Sequence, residues 1–383
     1  MKVLYVTEHL WNRQYGAGLR NYGILRHLGR HHELHIAVAR ADPNAGLQLG
    51  SNVPESFGKI YALNPAERAT AWRADGKIFG PLARGQDMRG AFLRLVDRVK
   101  PDVIWYFEKY VVRRTGLTEQ APVVVDLVDV QWHKLLRAAR YQAGTKKWAA
   151  WLKTGVSWVE DNWIARRAGV VVLANAHEAA FLRTRRPIIP VANGFDFPIE
   201  MPRNSGRARR VLFLGSLFYY PNLDGLNWFC SQVWPRIRAI VPDASLDVVG
   251  HVEKNVARLP QTPGVSYHGF VQDVSPFINA ASCLVVPLRI AGGTRLKILE
   301  AWAMGLPVVS TTVGAEGLGA AHGQTLLIGD TAEEIATACV SLLQDPELGS
   351  RLATSASGYG RNHFDWQVVG LAIDRVLRAV RNV

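Results

Sequence analysis

The sequence predicts an α/β fold built from two doubly wound parallel-sheet domains. Strand-like and helical segments alternate along the first 200 residues, and a second alternating series follows. Between the two series lies Phe197–Arg209, a polar stretch rich in Pro, Gly and Arg that is typical of a linker. The chain has 383 residues, of which 48% are hydrophobic, so it is long enough and apolar enough for two cores.

The first series opens with a β-α-β unit. Lys2–Thr7 is an apolar strand, His9–Gly18 a loop, Leu19–Arg30 a helix and Glu33–Ala39 a second strand. The later segments predicted for this domain are strands at Asp102–Phe107, Pro122–Leu127 and Gly169–Leu173, a helical region at Val130–Arg167, and a last strand with its exit at Pro187–Asp196.

The second series has clear boundary signals: a Pro opens its first helix, Gly305 is the expected stop of a later one, and Thr331 is an expected N-cap followed by glutamates. Its predicted strands are Arg209–Gly215, Ser245–Gly250, Val265–Gly269, Cys283–Pro287, Leu306–Thr311 and Thr325–Gly329. Its predicted helices are Pro221–Pro242, Asp273–Ala281, Thr294–Gly305, Thr331–Asp345 and the amphipathic Asp365–Val383. In such folds ligands bind at the carboxyl ends of the strands, and the cleft between two domains is the expected site.

Charge is distributed unevenly. The net charge is +13, and the first 200 residues hold 29 basic and 18 acidic residues whereas the rest hold 16 and 14. A basic half fits nucleic acid, an anionic membrane or a phosphate-bearing substrate. Because the basic residues are scattered and no recognition motif occurs, nucleic acid is not the expected partner.

Other features point to a cytoplasmic protein. No apolar stretch reaches about 18 residues, so no transmembrane helix is expected. The first residues fit a strand better than a signal peptide. Cys230, Cys283 and Cys339 are widely spaced, as expected for reduced, buried thiols.

The stretch "GGTRLKILEAWAMG", residues 292–305, carries the strongest chemical signal. Gly292 and Gly293 allow backbone to approach a ligand, and a helix beginning near Thr294 would direct free N–H groups at a phosphate. Arg295 and Lys297 add positive charge there. Glu300 could accept hydrogen bonds from the two hydroxyls of a ribose, so the set fits a nucleoside diphosphate. The alternative is a glycine turn before an ordinary helix with solvated charges.

Residues 292–318 resemble the donor-binding signature of the retaining glycosyltransferases of family 4, which have the GT-B architecture of two Rossmann-like domains facing a central cleft. Further stretches with this resemblance are "MKVLYVTEHL…GAGLRNYGILRHL", "VVDLVDVQWHKLLRAARY", "PVANGFD", "VLFLGSLFYYPNLDGLNWF" and "VSYHGFVQDVSPFINAASCLVVPL". The resemblance extends over nearly the whole chain and is greatest to bacterial polysaccharide-type sugar transferases.

The resemblance implies an acceptor-side domain at residues 1–200, joined by the helix 366–383, and a nucleotide-sugar-binding domain at 201–365. The implied donor-binding residues are Gly16, Gly18, Arg20, Gly215, Val271, Gly292, Gly293, Thr294 and Glu300. Glu300 matches the second glutamate of the family's Glu-x7-Glu motif, but the first falls on Gly292, which puts the usual sugar contact in doubt. The usual Arg and Lys after the first strand of this domain are also missing.

The expected catalytic residues are Asp129, Arg295 and Lys297. The resemblance implies same-face substitution assisted by the departing phosphate, with Arg295 or Lys297 stabilising the nucleoside diphosphate. Asp126 and Asp129 lie at a strand end, where Asp129 could orient acceptor or sugar, or simply cap the next helix. No metal-binding pattern occurs, so metal-independent transfer is expected, with a UDP- or GDP-linked sugar as substrate and no cofactor.

The segment "KKWAAWLKTGVSWVEDNW" mixes lysines with Trp148, Trp151, Trp158 and Trp163. Such a helix can lie on an anionic membrane, but its apolar spacing favours a core helix. The prediction is a retaining transferase acting on a glycan or lipid-linked glycan in bacterial polysaccharide synthesis, with peripheral contact to an anionic membrane. The alternative is a non-catalytic or divergent sugar-nucleotide-binding protein, or an epimerase.

Overall fold

The computed structural model describes residues 1–9, 16–39, 57–63, 78–79, 88–139, 144–199, 209–252, 262–290 and 295–382. The chain divides into two compact units. Unit 1 comprises Met1–Gly194 and Trp366–Val383, and unit 2 comprises Phe195–Asp365. Each unit contains a parallel sheet, so the predicted pair of Rossmann-like sheets is confirmed.

Unit 1 is built around a sheet whose order, in the described residues, is β4-β3-β2-β1-β5-β6-β7-β8. Its strands are apolar on both faces because helices cover both sides of a parallel sheet. The strands are β1 (Lys2–Thr7), β2 (Glu33–Val38), β3 (Lys59–Ala62), β4 (Ile78–Phe79), β5 (Val103–Phe107), β6 (Val123–Val128), β7 (Val170–Leu173) and β8 (Ile188–Pro190).

The helices of this part of unit 1 are α1 (Gly16–His31), α2 (Met88–Val99), α3 (Lys109–Thr115), α4 (Gln131–Ala139) and α5 (Gly144–Arg167), with a 3₁₀-helix at Ala176–Phe181. Helix α1 begins at Gly16, so the prediction that Gly16–Gly18 belong to a loop is wrong. The predicted helical region Val130–Arg167 contains two helices, α4 and α5.

Helix α5 corrects a second prediction. Trp148, Trp151 and Trp163 are exposed, and only Trp158 is partly buried. The interpretation of this segment as a core helix is therefore wrong. Within this segment the buried side chains are polar, among them Thr154, Ser157 and Asp161, and apolar burial begins only at Ile164 and Ala165 near the end of α5.

In the described residues, unit 2 has the sheet order β11-β10-β9-β12-β13-β14. The strands are β9 (Arg210–Leu214), β10 (Ser245–Val249), β11 (Val265–Gly269), β12 (Cys283–Val286), β13 (Val308–Ser310) and β14 (Leu327–Ile328). The helices are α6 (Tyr220–Trp228), α7 (Trp234–Ile240), α8 (Ser275–Ala280), α9 (Leu296–Ala303), α10 (Thr312–Ala315), α11 (Ala332–Gln344) and α12 (Pro346–Phe364), with a π-helix, Phe229–Val233, joining α6 to α7.

The boundary signals of unit 2 act as predicted. Thr331 Oγ1 accepts from the Glu334 amide, and the Glu334 carboxylate accepts from the Thr331 amide, which forms a capping box at α11. Gly305 follows α9 with a φ of 71°, in the left-handed region that favours glycine. The three cysteines are buried free thiols.

The last helix, α13 (Trp366–Arg381), belongs to unit 1 although the whole of unit 2 precedes it in the chain. Its indole Trp366 fills space beside Gly23 and Gly194, where an added Cβ would lie 1.9 and 2.4 Å from ring atoms. His27 on α1 also contacts Asp374 at 2.8 Å. In the parts of the chain that the structure describes, none of the helices combines the length and the apolar character needed to cross a bilayer.

Candidate functional site

The candidate donor site lies at the carboxyl edge of the unit 2 sheet, where the strand order changes direction. Strands β9 and β12 are neighbours there. The strands that follow β9 in the chain, β10 and β11, extend the sheet in one direction, and those that follow β12, β13 and β14, extend it in the other. Such a switch point is where open α/β sheets bind ligands. Gly215 directly follows β9, and α9 is the first helix after β12 in the described residues.

Lys297 brings these two elements together. Its ammonium donates to Asn222 Oδ1 at 3.0 Å, and the Asn222 side-chain amide donates to the Ser216 carbonyl at 2.9 Å. A Cβ on Gly215 would lie 2.8 Å from Lys297 Nζ, so glycine is what lets the ammonium approach this turn. The pKa of Lys297 is lowered to about 7, mainly by burial and also by the charge of Arg295, against the opposing effect of Glu300.

Glu300 lies three residues after Lys297 on α9, so both side chains are on one side of the helix. The pKa of Glu300 is raised to about 7, mainly by burial and also by the negative charge of Asp273, against the opposing effect of Lys297. Arg295 is only 8% exposed and occupies the N-cap of α9, so the helix begins at Leu296 and not at Thr294 as predicted. Lys297, whose ammonium lies at the Gly215 turn, is therefore electrostatically coupled to the Arg295 guanidinium and to the Glu300 carboxyl group.

The other predicted donor residues have different outcomes. Val271 is partly buried and lies two residues beyond β11, at the same edge of the sheet. Gly16 and Gly18 form the first turn of α1 in unit 1. Gly292, Gly293 and Thr294 lie outside the described residues, so their roles stay predictions.

Arg20 does not fit the predicted donor contact. Its side chain is completely buried and pairs with Asp126 at 2.9 Å. Its remaining N–H groups donate to the Val191 carbonyl at 2.7 Å and to Asn193 Oδ1 at 3.0 Å. The guanidinium thus joins α1, β6 and the segment after β8. We therefore reassign Arg20 from a donor-binding residue to a structural one.

A second group of polar residues lies at the carboxyl edge of the unit 1 sheet. Glu108 follows β5 and Asp129 follows β6, which are neighbouring strands. The pKa of Glu108 is raised to about 7, mainly by burial and also by the nearby carboxylates of Asp129, Asp126 and Glu8, whereas Lys134 opposes the shift. Asp129 itself pairs with Lys134 at 3.3 Å.

The backbone at this edge is strained. Glu108 has a φ of 67° and Val128 a φ of 65°, and a β-branched residue is costly in that region. Strain of this kind, on the order of 1–3 kcal/mol per residue, concentrates at functional sites.

The prediction that Asp129 could cap the next helix is answered by two other carboxylates. Asp161 accepts from the Trp132 amide and Glu178 from the Val130 amide, so these two residues, and not Asp129, satisfy amides at the start of α4.

Sequence reasoning missed two residues of these groups, Asn222 and Glu108. Glu108 carried a usable signal, because it directly follows an apolar strand, as Asp129 does. Asn222 carried none, because its partner Lys297 is 75 residues away in the chain. Among the described residues, no three His, Cys, Asp or Glu side chains are gathered as a metal ion would require.

Residues 208–345 match the family model described as "Glycosyl transferases group 1". This region includes Gly215, Asn222, Lys297 and Glu300. The solved structures of Anabaena Alr3699/HepE in complex with UDP and glucose, and of sucrose-phosphate synthase from Thermosynechococcus elongatus, superpose on 99% of this chain, each with a TM-score of 0.68. The superposed regions make up 99% of the Alr3699/HepE chain and 98% of the synthase chain, and the sequence identities are 14% and 15%.

The chain has the GT-B fold. Matches to curated relatives cover a smaller share of the chain than the structural matches do. An "Uncharacterized 44.6 kDa protein in cps region" of Klebsiella pneumoniae is 27% identical over 164 residues, 40% of this chain and 42% of that protein. Glycogen synthase of Mycobacterium tuberculosis (strain CDC 1551 / Oshkosh) is 24% identical over 243 residues, 58% of this chain and 56% of that protein. The chain thus matches about half the length of these relatives, and the match of this GT-B chain to the group 1 family supports a glycosyltransferase.

Proposed function

We propose that this GT-B protein is a retaining glycosyltransferase of family 4 that takes a sugar from a UDP- or GDP-linked donor. The acceptor is a hydroxyl of a glycan or a lipid-linked glycan, in the synthesis of a bacterial polysaccharide. The observation that carries the proposal is the group formed by Gly215, Asn222, Arg295, Lys297 and Glu300 at the switch point of unit 2. This group lies inside the region that matches the glycosyltransferase family.

On the donor side, the proposal gives each residue of this group a task. Lys297 and Arg295 stabilise the charge that develops on the leaving diphosphate. The turn at Gly215 lets backbone lie close to the phosphates. Glu300, as a carboxylate, accepts hydrogen bonds from the ribose hydroxyls. These cations make a metal ion unnecessary in the proposed reaction, and no cofactor is required.

On the acceptor side, we assign Asp129 and Glu108 to binding of the acceptor hydroxyl. In the proposed step, the bond between the anomeric carbon and the phosphate oxygen breaks with its electron pair going to the diphosphate. The acceptor oxygen forms its bond to the same face of the anomeric carbon, and its proton passes to the departing phosphate oxygen. In this proposal the two carboxyl groups accept a hydrogen bond from the acceptor hydroxyl and so orient its oxygen.

UDP is the first nucleotide to test. Structures of Anabaena Alr3699/HepE contain UDP or UDP-glucose, and a variant of TarM from S. aureus was solved with UDP and alpha-GlcNAc-glycerol. Their identities to this chain are 15%, 14% and 9%, so they guide the choice of ligand only.

A second candidate function is sugar-nucleotide binding without transfer. It is favoured by Gly292, which stands where the family has a glutamate.

Calorimetric titration with UDP, GDP and their glucose and mannose derivatives tests the proposal. We expect one nucleotide to bind, and Glu300→Gln and Lys297→Met each to weaken it at least about tenfold, which corresponds to 1.4 kcal/mol. Glu333→Gln and Arg351→Met are matched controls on exposed helix positions of unit 2 and should bind as the parent does.

The same nucleotide sugar, incubated with glycan acceptors, should release nucleoside diphosphate and give a product whose anomeric configuration is retained by NMR. Tight binding with no release would favour the second candidate. No binding of any nucleotide by the parent protein would overturn both.

A further inference from the structure

Helix α5 presents an apolar side to solvent. The exposed fraction is 79% for Trp148, 72% for Leu152 and 60% each for Val156 and Val159, and Trp151 and Trp163 are also exposed. With 3.6 residues per turn, these positions form one stripe, about 140° wide, along the helix. A contiguous apolar stripe of this length on an otherwise soluble surface marks an interaction site.

Buried contacts fix the rotation of α5. The Lys109 ammonium, 5% exposed, donates to Asp161 Oδ1 at 2.7 Å and to Ser157 Oγ at 2.9 Å. Asp161 is 1% exposed and also accepts from the Trp132 amide. Turning the apolar stripe inward would leave the ammonium of Lys109 and the carboxylate of Asp161 unpaired. The stripe is therefore held outward by the packing of unit 1 itself.

Cations border the stripe. Lys147 and Lys153 lie along the helix, and Arg166 and Arg167 lie at its carboxyl end, all exposed. Arg166 also lines a surface hollow of about 550 Å³ together with Arg183, Thr184, Arg185 and Arg186. A second hollow of about 200 Å³ contains Trp163 and Arg166, so the apolar stripe continues directly into the arginine hollow.

The arginines and tryptophans are also in contact with each other. The Arg167 guanidinium lies 4.8 Å from the centre of the Trp163 ring, and that of Arg183 lies 5.5 Å from the Trp158 ring. Such cation–π pairs hold the aromatic rings and the cationic groups side by side on the surface. This is the arrangement that the boundary between acyl chains and phosphates of a bilayer requires.

We propose that this surface, the α5 face (Trp148, Trp151, Leu152, Val156, Val159, Trp163 and the arginine hollow), binds an anionic phospholipid bilayer. The apolar stripe enters the boundary of the acyl chains, and the arginines bind lipid phosphates. A second copy of the chain is a poorer occupant, because a two-fold contact would bring two identical cationic borders together. The surplus of +11 in residues 1–200 adds long-range attraction to an anionic surface.

Vesicle flotation with the full chain, without nucleotide, tests this proposal separately from the proposed function. The parent protein should float with vesicles of equal parts phosphatidylglycerol and phosphatidylcholine, and far less with phosphatidylcholine alone. The variant Trp148→Ser/Trp151→Ser should bind more than about tenfold more weakly. Arg185→Gln/Arg186→Gln should bind about twenty-fivefold more weakly, because each basic residue near an anionic surface contributes about a factor of five.

The matched control is Ile240→Ser/Leu371→Ser, which removes exposed apolar side chains outside the α5 face and should float as the parent does. Brominated lipids should quench the tryptophan fluorescence of the parent protein and much less that of the Trp148/Trp151 variant. Equal flotation of that variant and the parent, no flotation at all, or a dimer in light scattering that the tryptophan variant dissociates, would each overturn the proposal.

Discussion

Lys297 and Glu300 are two groups of opposite charge type whose pKa values both lie at about 7. Burial is the main cause in each case, because it disfavours the charged form: it lowers the pKa of the amine and raises that of the acid. An arriving diphosphate brings negative charge, which favours the ammonium of Lys297. Ribose hydroxyls that donate to Glu300 favour its carboxylate.

Nucleotide binding should therefore be linked to protons. Above pH 7 the free protein has largely neutral Lys297, so binding at pH 8 should take up a proton at this residue, and affinity should fall as pH rises above about 7. Below pH 7 binding should release a proton from Glu300. Calorimetry in buffers of different ionisation enthalpy measures both effects. Lys297→Met should abolish the uptake and Glu300→Gln the release; uptake that persists in Lys297→Met would assign it to another group.

Arg20 illustrates how burial separates a structural from a functional residue. Removing one partner of a buried ion pair leaves an uncompensated charge, which typically costs 3–5 kcal/mol. We expect Arg20→Met to lower the free energy of unfolding of unit 1 by about that amount in urea denaturation. The nucleotide dissociation constant of the folded variant should stay unchanged. Normal stability together with lost nucleotide binding would return Arg20 to the donor site.

At the scale of elements, the rotation of α5 depends on the buried ammonium of Lys109, which pairs with Asp161 at 2.7 Å and with Glu160 at 3.0 Å. Asp161→Asn should lower the free energy of unfolding by about 3 kcal/mol, the lower end of the range for a broken buried pair, because the Lys109 ammonium then keeps only the less buried Glu160. The double variant Lys109→Met/Asp161→Leu should be closer to the parent, since it leaves no unpaired charge in place of the pair.

The matched control is Asp243→Asn, which breaks the Arg209–Asp243 pair at the same 2.7 Å separation but on the exposed surface. Exposed pairs contribute little, so no measurable change in denaturation is expected there. Equal effects of Asp161→Asn and Asp243→Asn would show that Lys109 does not hold α5.

Most elements of the sheets could be predicted from the sequence. Strands such as Val103–Phe107 and Val170–Leu173 are short apolar runs bounded by polar residues, and their boundaries shifted by one residue. The short helix α3 was not predicted, because it begins after Glu108, whose positive φ no local pattern indicates. The outward side of α5 was not predicted either, because Lys109 lies 52 residues before Asp161.

In the candidate site, too, the residues of one local motif could be predicted, whereas those brought together by the fold could not. Lys297 and Glu300 belong to one local motif, and their expected side of α9 follows from helical spacing. Asn222 and Glu108 depend on which strands are neighbours in the sheets, which is a property of the fold. Arg20 was misassigned because a basic residue at a helix start looks the same in sequence whether it meets phosphate or a buried aspartate.

At the scale of the whole molecule, the two proposed ligands bind different units. Hydrogen exchange can separate them. UDP should protect backbone amides around Gly215 and α9 in unit 2 and leave α5 unchanged. Anionic vesicles should protect amides of α5 and of residues 183–186 and leave Gly215 unchanged. Protection of α5 by UDP alone would contradict the assignment of the nucleotide to unit 2.

The position of α13 has a consequence for biosynthesis. Trp366, Ile373 and Val376 complete the buried cluster on one face of the unit 1 sheet, yet the ribosome makes them after all of unit 2. During translation unit 2 can close as soon as it emerges, whereas the earlier-made unit 1 must wait with one apolar face uncovered. Nascent chains of this protein therefore carry an unfinished N-terminal half for the whole time needed to synthesise unit 2, and a chaperone that shields apolar surface would act on that half first.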